Sequence, residues 1–382
     1  MGNVTSQTVR RTDGSARSSI TRTFDSLGRL LIETLGPGRT TAWSYDKLGN
    51  PTQIVSPRSN ATTQAFDPLN RLITMVAPDT GTETTAYNKL DDVTSFTDPV
   101  AVTTSFVRNG FGEAIRETSP DRGTSTYYYD AAGRMTAAID GRGQRVDYVR
   151  DVLGRVVSKM PLGLAAQAIS YQWDSDGLAG SAMIGRLGRV TDASGVTRFG
   201  WDSRGLLVAK EQSLGGTPAH LQYAHDKAGR ITQITYPSGR IVAYTRDAKG
   251  RVSGVTTQAS ATAPVVPLMS NATYEPFGAL KSASLGNGLV LEQDWGNDDR
   301  LSSKALRTSG GTALSQLAYS YDADDNITAI TDAVDASRSI AYGYDGNGRL
   351  SRVETASGAL RRTDYAHDKG GNRTSVAYRA LP

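Results

Sequence analysis

Two aspartates, Asp130 and Asp151, stand 21 residues apart in near copies of one phrase, Tyr129-Asp130-x-x-Gly133-Arg134 and Arg150-Asp151-x-x-Gly154-Arg155. A carboxylate pair can do acid–base chemistry when one site holds both groups and two environments separate their pKa values. The same slot, however, recurs at Asp25, Asp46, Asp67, Asn88, Asn109, Asp130 and Asp151, always 21 residues apart. It continues at steps of 21 to 28 through Asp174, Asp202, Asp226, Asp247, Glu275, Gly296, Asp322, Asp345 and Asp368. A row of like carboxylates in like surroundings is not a catalytic pair. Asp at the first position of a type I turn with Gly at the fourth explains both type and spacing. The Asp side chain accepts backbone N–H groups ahead of it, and Gly tolerates positive φ. Asn88 and Asn109 keep that acceptor and lose the charge. The residues singled out are therefore structural turn pairs: Asp25 with Gly28, Asp46 with Gly49, Asp130 with Gly133, Asp151 with Gly154, Asp226 with Gly229, Asp247 with Gly250, Asp345 with Gly348 and Asp368 with Gly371. No catalytic, cofactor-binding or metal-ligating residue is assigned.

The other reactive types lead to the same place. His225 and His367 each sit in Tyr-Ala-His-Asp, in the slot that is aromatic elsewhere, and no G-x-S-x-G or Cys nucleophile accompanies them. They read as stand-ins for a packed ring, and His220 reads as a loop residue. Asp322-x-Asp324-x-Asn326 opens like an EF-hand loop, but Ile327 and Ala333 stand where that loop needs Gly and Glu. A periodic arginine (29, 71, 134, 155, 230, 251, 300, 349) could contact nucleic acid. With 42 basic against 38 acidic residues and a net charge of +4, pairing of each Arg with carboxylates of the turns is the better expectation. No phosphate-cradling G-x-x-x-x-G-K-[ST] motif is present.

The absence of Cys excludes disulfides and thiolate chemistry. No apolar run reaches about 18 residues, so no transmembrane helix is expected. The opening MGNVTSQTVRRTDGS has no apolar stretch of a secretory signal, and Gly2-Asn3-Val4-Thr5 matches the tail of the repeat unit. The expectation is a fragment of a longer protein that starts and ends within repeats, residues 1–382 forming a single array. Insertions near 175–185 and 258–269 read as enlarged loops.

Each unit reads aromatic-Asp-x-x-Gly-Arg/Asn-apolar-Thr, with Phe24, Tyr45, Phe66, Tyr87, Tyr129, Trp201, Trp295, Tyr321 or Tyr344 as the ring. A second turn follows half a unit later, at Pro78–Gly81, Pro120–Gly123, Asp192–Gly195 and Pro237–Gly239. Two strands and two turns per unit make a continuous antiparallel meander. Apolar residues five and eight places after Asp, such as Ile327 and Ile330, fall on opposite faces unless a bulge intervenes. Roughly 32 strands at about 4.8 Å each give a strip about 150 Å wide. Open sheets of that width curl. A spiralling wall and a β-propeller-like arrangement of 42-residue blades both remain open.

The units FDSLGRLLIE, YDKLGNPTQI, YDAAGRMTAA and YDGNGRLSRV resemble the Tyr-Asp (YD) repeats of RHS proteins, and the likeness runs through the whole chain. The resemblance implies an all-β fold in which tandem hairpins of about 21 residues form a continuous spiralling sheet, part of a hollow shell. In bacterial RHS polymorphic toxins and the C components of insecticidal toxin complexes, such shells enclose a C-terminal toxin; teneurins use a related barrel in adhesion. The family's D-P-x-G-L core signature is missing: Asp67-Pro68 and Asp98-Pro99 continue as LNR and VAV. Its self-cleaving residues therefore have no counterpart here.

The expected function is a non-catalytic encapsulating scaffold, with no cofactor. Its partners would be the rest of the parent RHS protein, namely core and enclosed toxin, with a secretion-system adaptor or cell-surface glycan as further candidates. Nucleic acid and a membrane span are not expected. The expected location is secreted or on the cell surface through a dedicated secretion system. Adhesion or carbohydrate binding is the alternative, motivated by 17 Tyr and 4 Trp.

Overall fold

A computed structural model describes residues 2–10, 14, 16–36, 38–358 and 361–380. They form 33 β-strands and three single-turn 3-10 segments, with no α-helix among the described residues. The chain divides into two compact units. The first comprises residues 1–103, 273–284 and 288–382, and the second comprises residues 104–272 and 285–287. Within each, strands pair antiparallel with their neighbours in the chain, as in Arg39–Tyr45 with Pro51–Val55 and Ile241–Arg246 with Val252–Gln258.

The Asp-x-x-Gly turn makes this possible. In the unit of Asp25, the Gly28 N–H donates to the Asp25 carbonyl at 3.0 Å, and the Asp25 N–H to the Arg29 carbonyl at 2.9 Å. The other predicted pairs close in the same way. Gly49 donates to Asp46 O at 3.2 Å, Gly229 to Asp226 O at 3.1 Å, Gly250 to Asp247 O at 2.9 Å and Gly371 to Asp368 O at 3.2 Å. Gly133, Gly154 and Gly348 donate to Asp130, Asp151 and Asp345 at 3.0, 2.9 and 3.1 Å. These eight glycines have φ between 75° and 93°, a region costly for a residue with Cβ. Asn70, Asp91 and Asp325 fill the same position in other units, as the short polar side chains that tolerate it best. Several second turns repeat the device: Gly143 N–H bonds Asp140 O, and Gly239 N–H bonds Tyr236 O. At Pro78 the turn closes one residue earlier than the sequence suggests. Thr80, with φ 65°, donates to Ala77 O, because Pro at the second position already fixes its φ.

A bulge resolves the question of faces. Tyr321 opposes Ile327 and Ser320 opposes Ala329, leaving Thr328 as an extra residue, while Tyr319 opposes Ile330. Tyr319 and Tyr321 share a face, so Ile327 and Ile330 share it too. The same shift precedes the aromatic slot at Phe24, Tyr45, Phe66, Tyr87, Tyr129 and Trp201. In each of these units one residue is left unpaired so that ring and apolar residues stay together.

The face so built is only half covered. Strand Thr82–Tyr87 alternates exposed and half-buried residues. The buried hydrophobic residues are Ala137, Ala283 and Ala305, and among the described residues no large side chain is fully buried. Cohesion therefore rests on the backbone ladder and on polar contacts at the strand ends, more than on a packed core.

Two sequence expectations are corrected. His220 lies in strand Ala219–His225, its Nδ1 3.8 Å from Glu211, because alternation continues through the segment. The stretch 258–269 is not all loop: Val266–Tyr274 is a strand, since Val-Val-Pro-Leu-Met keeps an extended backbone. The 175–185 insertion opens inside an Asp turn, where Asp174 N–H bonds Arg186 O. It folds back onto the neighbouring strand through Leu178 N–H to Phe199 O and Ala182 N–H to Trp201 O. Gly188 and Gly200 leave room for it, since a Cβ on Gly188 would collide with Ser175 O, and one on Gly200 would press Ser181 Oγ at 3.2 Å.

In the first unit, second turns of residues 56–101 dock on Asp turns of residues 322–371. Ser56 Oγ and the Arg58 N–H both donate to the Asp324 carboxylate, at 3.0 and 3.2 Å. Arg349 meets Asp79 at 3.0 Å. A Cβ on Gly346 would lie 3.4 Å from Pro78 Cβ, and one on Gly370 would lie 3.3 Å from Val100.

Gly188→Val should expel the 175–185 insertion at a cost of about 1–3 kcal/mol, typical of overpacking. Hydrogen exchange of the Leu178 and Ala182 amides would rise to loop-like rates while the flanking ladder stayed protected. Unchanged protection of those two amides would show that the glycine is not what admits the insertion.

Candidate functional site

The recurring polar apparatus is a ladder of turn locks. Asp130 Oδ1 accepts the N–H groups of Ala132 and Arg134 at 2.9 and 3.0 Å, and Oδ2 accepts Arg134 Nε at 2.8 Å. Asp151 repeats this at 3.0, 2.9 and 2.7 Å with Leu153 and Arg155. The same carboxylate-to-Arg bond joins Arg29 to Asp25, Arg230 to Asp226, Arg251 to Asp247 and Arg349 to Asp345. Asp46 and Asp368 use Asn50 and Asn372 instead. The candidate pair is thus divided between two successive hairpins, about 10 Å apart at two strand spacings. Arg300 departs from the pattern: its own turn begins at Gly296, so it reaches forward to Asp325 at 3.1 Å.

The surroundings of the turn glycines correct the expectation of like sites. Gly154 and Gly250 lie under the guanidinium of the preceding unit, and a Cβ on either would collide with Arg134 or Arg230. At Gly49 the corresponding Arg29 stands off, 3.9 Å from where a Cβ would be. A Cβ on Gly229 would meet Leu206 at 3.5 Å, because the preceding unit carries Leu where the others carry Arg. At Gly371 a Cβ would meet nothing within 4 Å, and the preceding Arg349 also reaches across to Asp79. The turn geometry repeats; the packing over it depends on the fifth residue of the turn before and on where that side chain reaches.

These contacts shape the titration of the carboxylates. The Arg134 N–H, opposed by partial desolvation and supported by the Arg134 guanidinium, holds Asp130 below the usual carboxylate range. The Arg71 guanidinium and N–H do the same for Asp67. Arg155 is pushed up by the carboxylates of Asp174 and Asp151. Ionised groups whose lone pairs are already engaged are poorly placed to trade protons.

The locks are also linked to one another. Arg29 Nη1 donates to Asp46 O of the next turn at 2.9 Å and its guanidinium lies 4.8 Å from the Tyr45 ring centroid. Tyr45 Oη donates back to Leu30 O at 2.8 Å. Arg71, Tyr87 and Leu72 reproduce the triangle. The accepting carbonyl lies beside the bulge, where the ladder is interrupted, so the polar tip of the next ring meets an acceptor that strand pairing serves poorly.

That role explains the range of residues in the ring slot. Trp173, Trp201 and Trp295 use Nε1 for the same bond, to Val156, Leu187 and Leu280. Arg150 and Arg246 occupy the ring slot yet reach Met135 O and Ile231 O. In these units the slot holds a long side chain with a donor at its tip, whereas Phe24 and Phe66 fill it with a ring that has none. His225 takes the same place and is half-buried. Asp98 and Asp140 were overlooked. Each accepts two backbone N–H groups in a second turn, and the Asp140-x-x-Gly143 spelling was the available signal.

A second legible signal lay in the fifth turn position. Where the first residue is Asp, the fifth is often Arg or Asn, a donor. Where it is Asn, the fifth is an acid: Asn88 Nδ2 donates to Asp92 at 3.0 Å and Asn109 Nδ2 to Glu113 at 2.5 Å. Donor and acceptor have exchanged places. The EF-hand-like triplet is absorbed likewise, since Asp322 Oδ1 accepts the N–H groups of Asp324 and Asn326. Among the described residues no cluster of three or more His, Cys, Asp or Glu is arranged to hold a metal ion.

These features define a tandem YD-hairpin repeat protein, and comparison with known proteins agrees. The Teneurin YD-shell family model matches residues 3–153, and the RHS Repeat model matches residues 225–263 and 321–360. No curated protein matches the chain. Among solved structures, the Tc holotoxin pore of Photorhabdus luminescens is similar over 95% of this chain, with TM-score 0.81 and 17% identity. The TcdB2-TccC3 crystal structure is similar over 97%, with TM-score 0.76 and 15% identity. The chain spans only 21% and 25% of the lengths of those two proteins. The chain is a member of the RHS/YD-repeat family, and its fold is that of the YD-repeat shell.

The turn locks can be tested directly. Asp130→Asn should lower the denaturation midpoint, because Asn and Arg134 then face each other as donors. Adding Arg134→Asp should restore most of the loss by recreating the Asn88–Asp92 arrangement, and no recovery would refute the complementarity. Tyr344→Phe removes the 2.8 Å bond to Ile327 O and keeps the ring. It should cost about 1 kcal/mol in urea unfolding. For pH, the turn carboxylates have folded pKa values below their ordinary value near 3.8. Their stabilisation is complete above about pH 5 and is lost as pH falls through the depressed values. Acid titration of unfolding should show that slope, and a plateau extending to the lowest pH reached would contradict it.

Proposed function

We propose that this chain is a non-catalytic section of an RHS-type shell that encloses a toxin carried by the same longer protein. The observation that carries the reading is the fold likeness to Tc toxin proteins over 95% of the chain. The repeated carboxylates support it, being engaged in turns and linked turn to turn. The single array and the eight turn pairs, from Asp25 with Gly28 to Asp368 with Gly371, belong to the same proposal: they are structural, and the chemistry resides elsewhere in the parent protein. The parent would act outside the cell that makes it, as a secreted toxin complex does. No helix among the described residues is long and apolar enough to cross a membrane.

The partners proposed are further parts of the parent protein. In the first unit Leu27, Leu48, Leu69 and Leu90 crest successive Asp turns and are 64–74% exposed. A regular apolar edge of this kind suits protein contact better than solvent. A glycan surface is the second reading. It is favoured by an open groove of about 630 Å³ in the second unit that is lined by Phe111, Tyr127, Tyr128 and Tyr129.

Limited proteolysis of the complete parent separates the ideas. Enclosure requires the segment downstream of Pro382 to survive protease that digests it when expressed alone. Equal digestion in both forms would reject enclosure. Glycan-array binding that vanishes with Tyr128→Ala would favour the second reading.

A further inference from the structure

The two edges that meet in the first unit are periodic, and periodic edges can slip. Prolines at 57, 78 and 99 crest second turns at 21-residue intervals, two strands or about 10 Å apart. The opposing Asp turns at 322, 345 and 368 repeat as well. The contact of Pro78 with Gly346 would be nearly reproduced if Pro57 took its place.

Two successive turns break the repetition. At 296–300 the Asp slot holds Gly296, and both Asp298 and Asp299 adopt left-handed backbone, each with φ of 60°. Such strain in two adjacent non-glycine residues persists only where surroundings enforce it. Here Asp298 sits against Gly36, where any Cβ would collide with its carboxylate. Arg39, 8% exposed, grips Asp298 at 2.8 Å and Asp325 at 2.7 Å. Arg17, also 8% exposed, pairs with Asp299 at 2.5 Å and Glu275 at 3.4 Å and stacks 3.8 Å from the centre of the Phe277 ring. Glu275 is likewise neither Asp nor Asn, the two residues that fill the slot elsewhere. The family pattern thus fails at two successive turns, and both receive a buried arginine from the opposite edge.

We propose that Arg17, Arg39 and the 296–300 turn form a register key, a unique ionic fit that selects one alignment of two repetitive edges. A buried ion pair is a weak source of stability, and its use here is specificity, because another alignment leaves each buried guanidinium short of a partner. A slip by one unit would give Arg39 Asp324 for Asp298 but Gly348 for Asp325, and Arg17 Asp325 for Asp299 but Gly296 for Glu275, so each arginine would lose one of its two carboxylates. Of the remaining seam contacts, Ser56 with Asp324 is an ordinary hydrogen bond, whereas Arg349 with Asp79 would become Arg349 against Arg58 after the same slip and adds to the selection.

The chain has no Cys, so engineered cysteine pairs report register cleanly. Pro78→Cys with Gly346→Cys tests the observed register, in which a Cβ on Gly346 would lie 3.4 Å from Pro78 Cβ, within disulfide reach. Pro57→Cys with Gly346→Cys tests a slip of one unit. In the otherwise native chain the first pair should close and the second should not. In the background Arg17→Met, Arg39→Met, Asp298→Asn, the second pair should close in a measurable fraction of chains. Ser56→Ala, which removes an ordinary seam hydrogen bond, should leave the slipped pair open. Continued exclusive closure of the first pair without the key overturns the proposal. Loss of both crosslinks with sheet circular dichroism retained also overturns it, since the cluster is then only a clamp. If the triple variant does not fold, Asp298→Asn alone is read by the same criteria.

Discussion

Everything in this protein depends on one recurrent backbone problem. Each hairpin of the regular pattern carries a bulge, and the carbonyl beside it must find a donor that the strand ladder does not supply well. Where the next unit's slot holds Tyr, Trp or Arg, its tip provides it, while Arg29 and Arg71 bond the following turn's carbonyl and stack on the same ring. A strand pair is therefore stabilised by the pair after it. This is how a sheet with a half-covered face and almost no buried large side chains can stay ordered: polar coupling between neighbours takes the place of a core.

The aspartates follow from that arrangement. A carboxylate that accepts two backbone N–H groups and a guanidinium is held ionised and is structurally occupied. The Asp–Arg and Asn–Asp versions of the turn show that the requirement is one donor and one acceptor, in either order. Charge is incidental to it.

The strand order, the two turns per unit and the turn role of the aspartates could be read from local spelling, because Asp-x-x-Gly and alternating strands act over a few residues. Other features could not. Gly49, Gly229, Gly250 and Gly371 are spelled alike in their turns, yet what packs over each is set by the preceding unit. Phe66, Trp173 and Arg150 look unrelated as letters, and only the geometry shows that Trp173 and Arg150 reach back to one kind of carbonyl. The faces of Ile327 and Ile330 depended on a bulge that has no residue signature. The extent of the strand at Val266–Tyr274 was hidden within what reads as an insertion, and His220 reads as loop because the residues before it are small and polar.

The seam marks the same boundary between local and distant information. The amino-acid sequence alone determined a period, a turn and a family, since each is repeated within a window of about 21 residues and averages over irregular copies. Tertiary structure alone decided what the irregular copies mean. Glu275 and Gly296 read as decay of the repeat until Arg17 and Arg39, distant in the chain, are seen buried against those turns. A repeat encodes its own shape through short-range bonds. Which copy meets which is settled only by side chains that differ from the consensus, and their partners are far away along the chain.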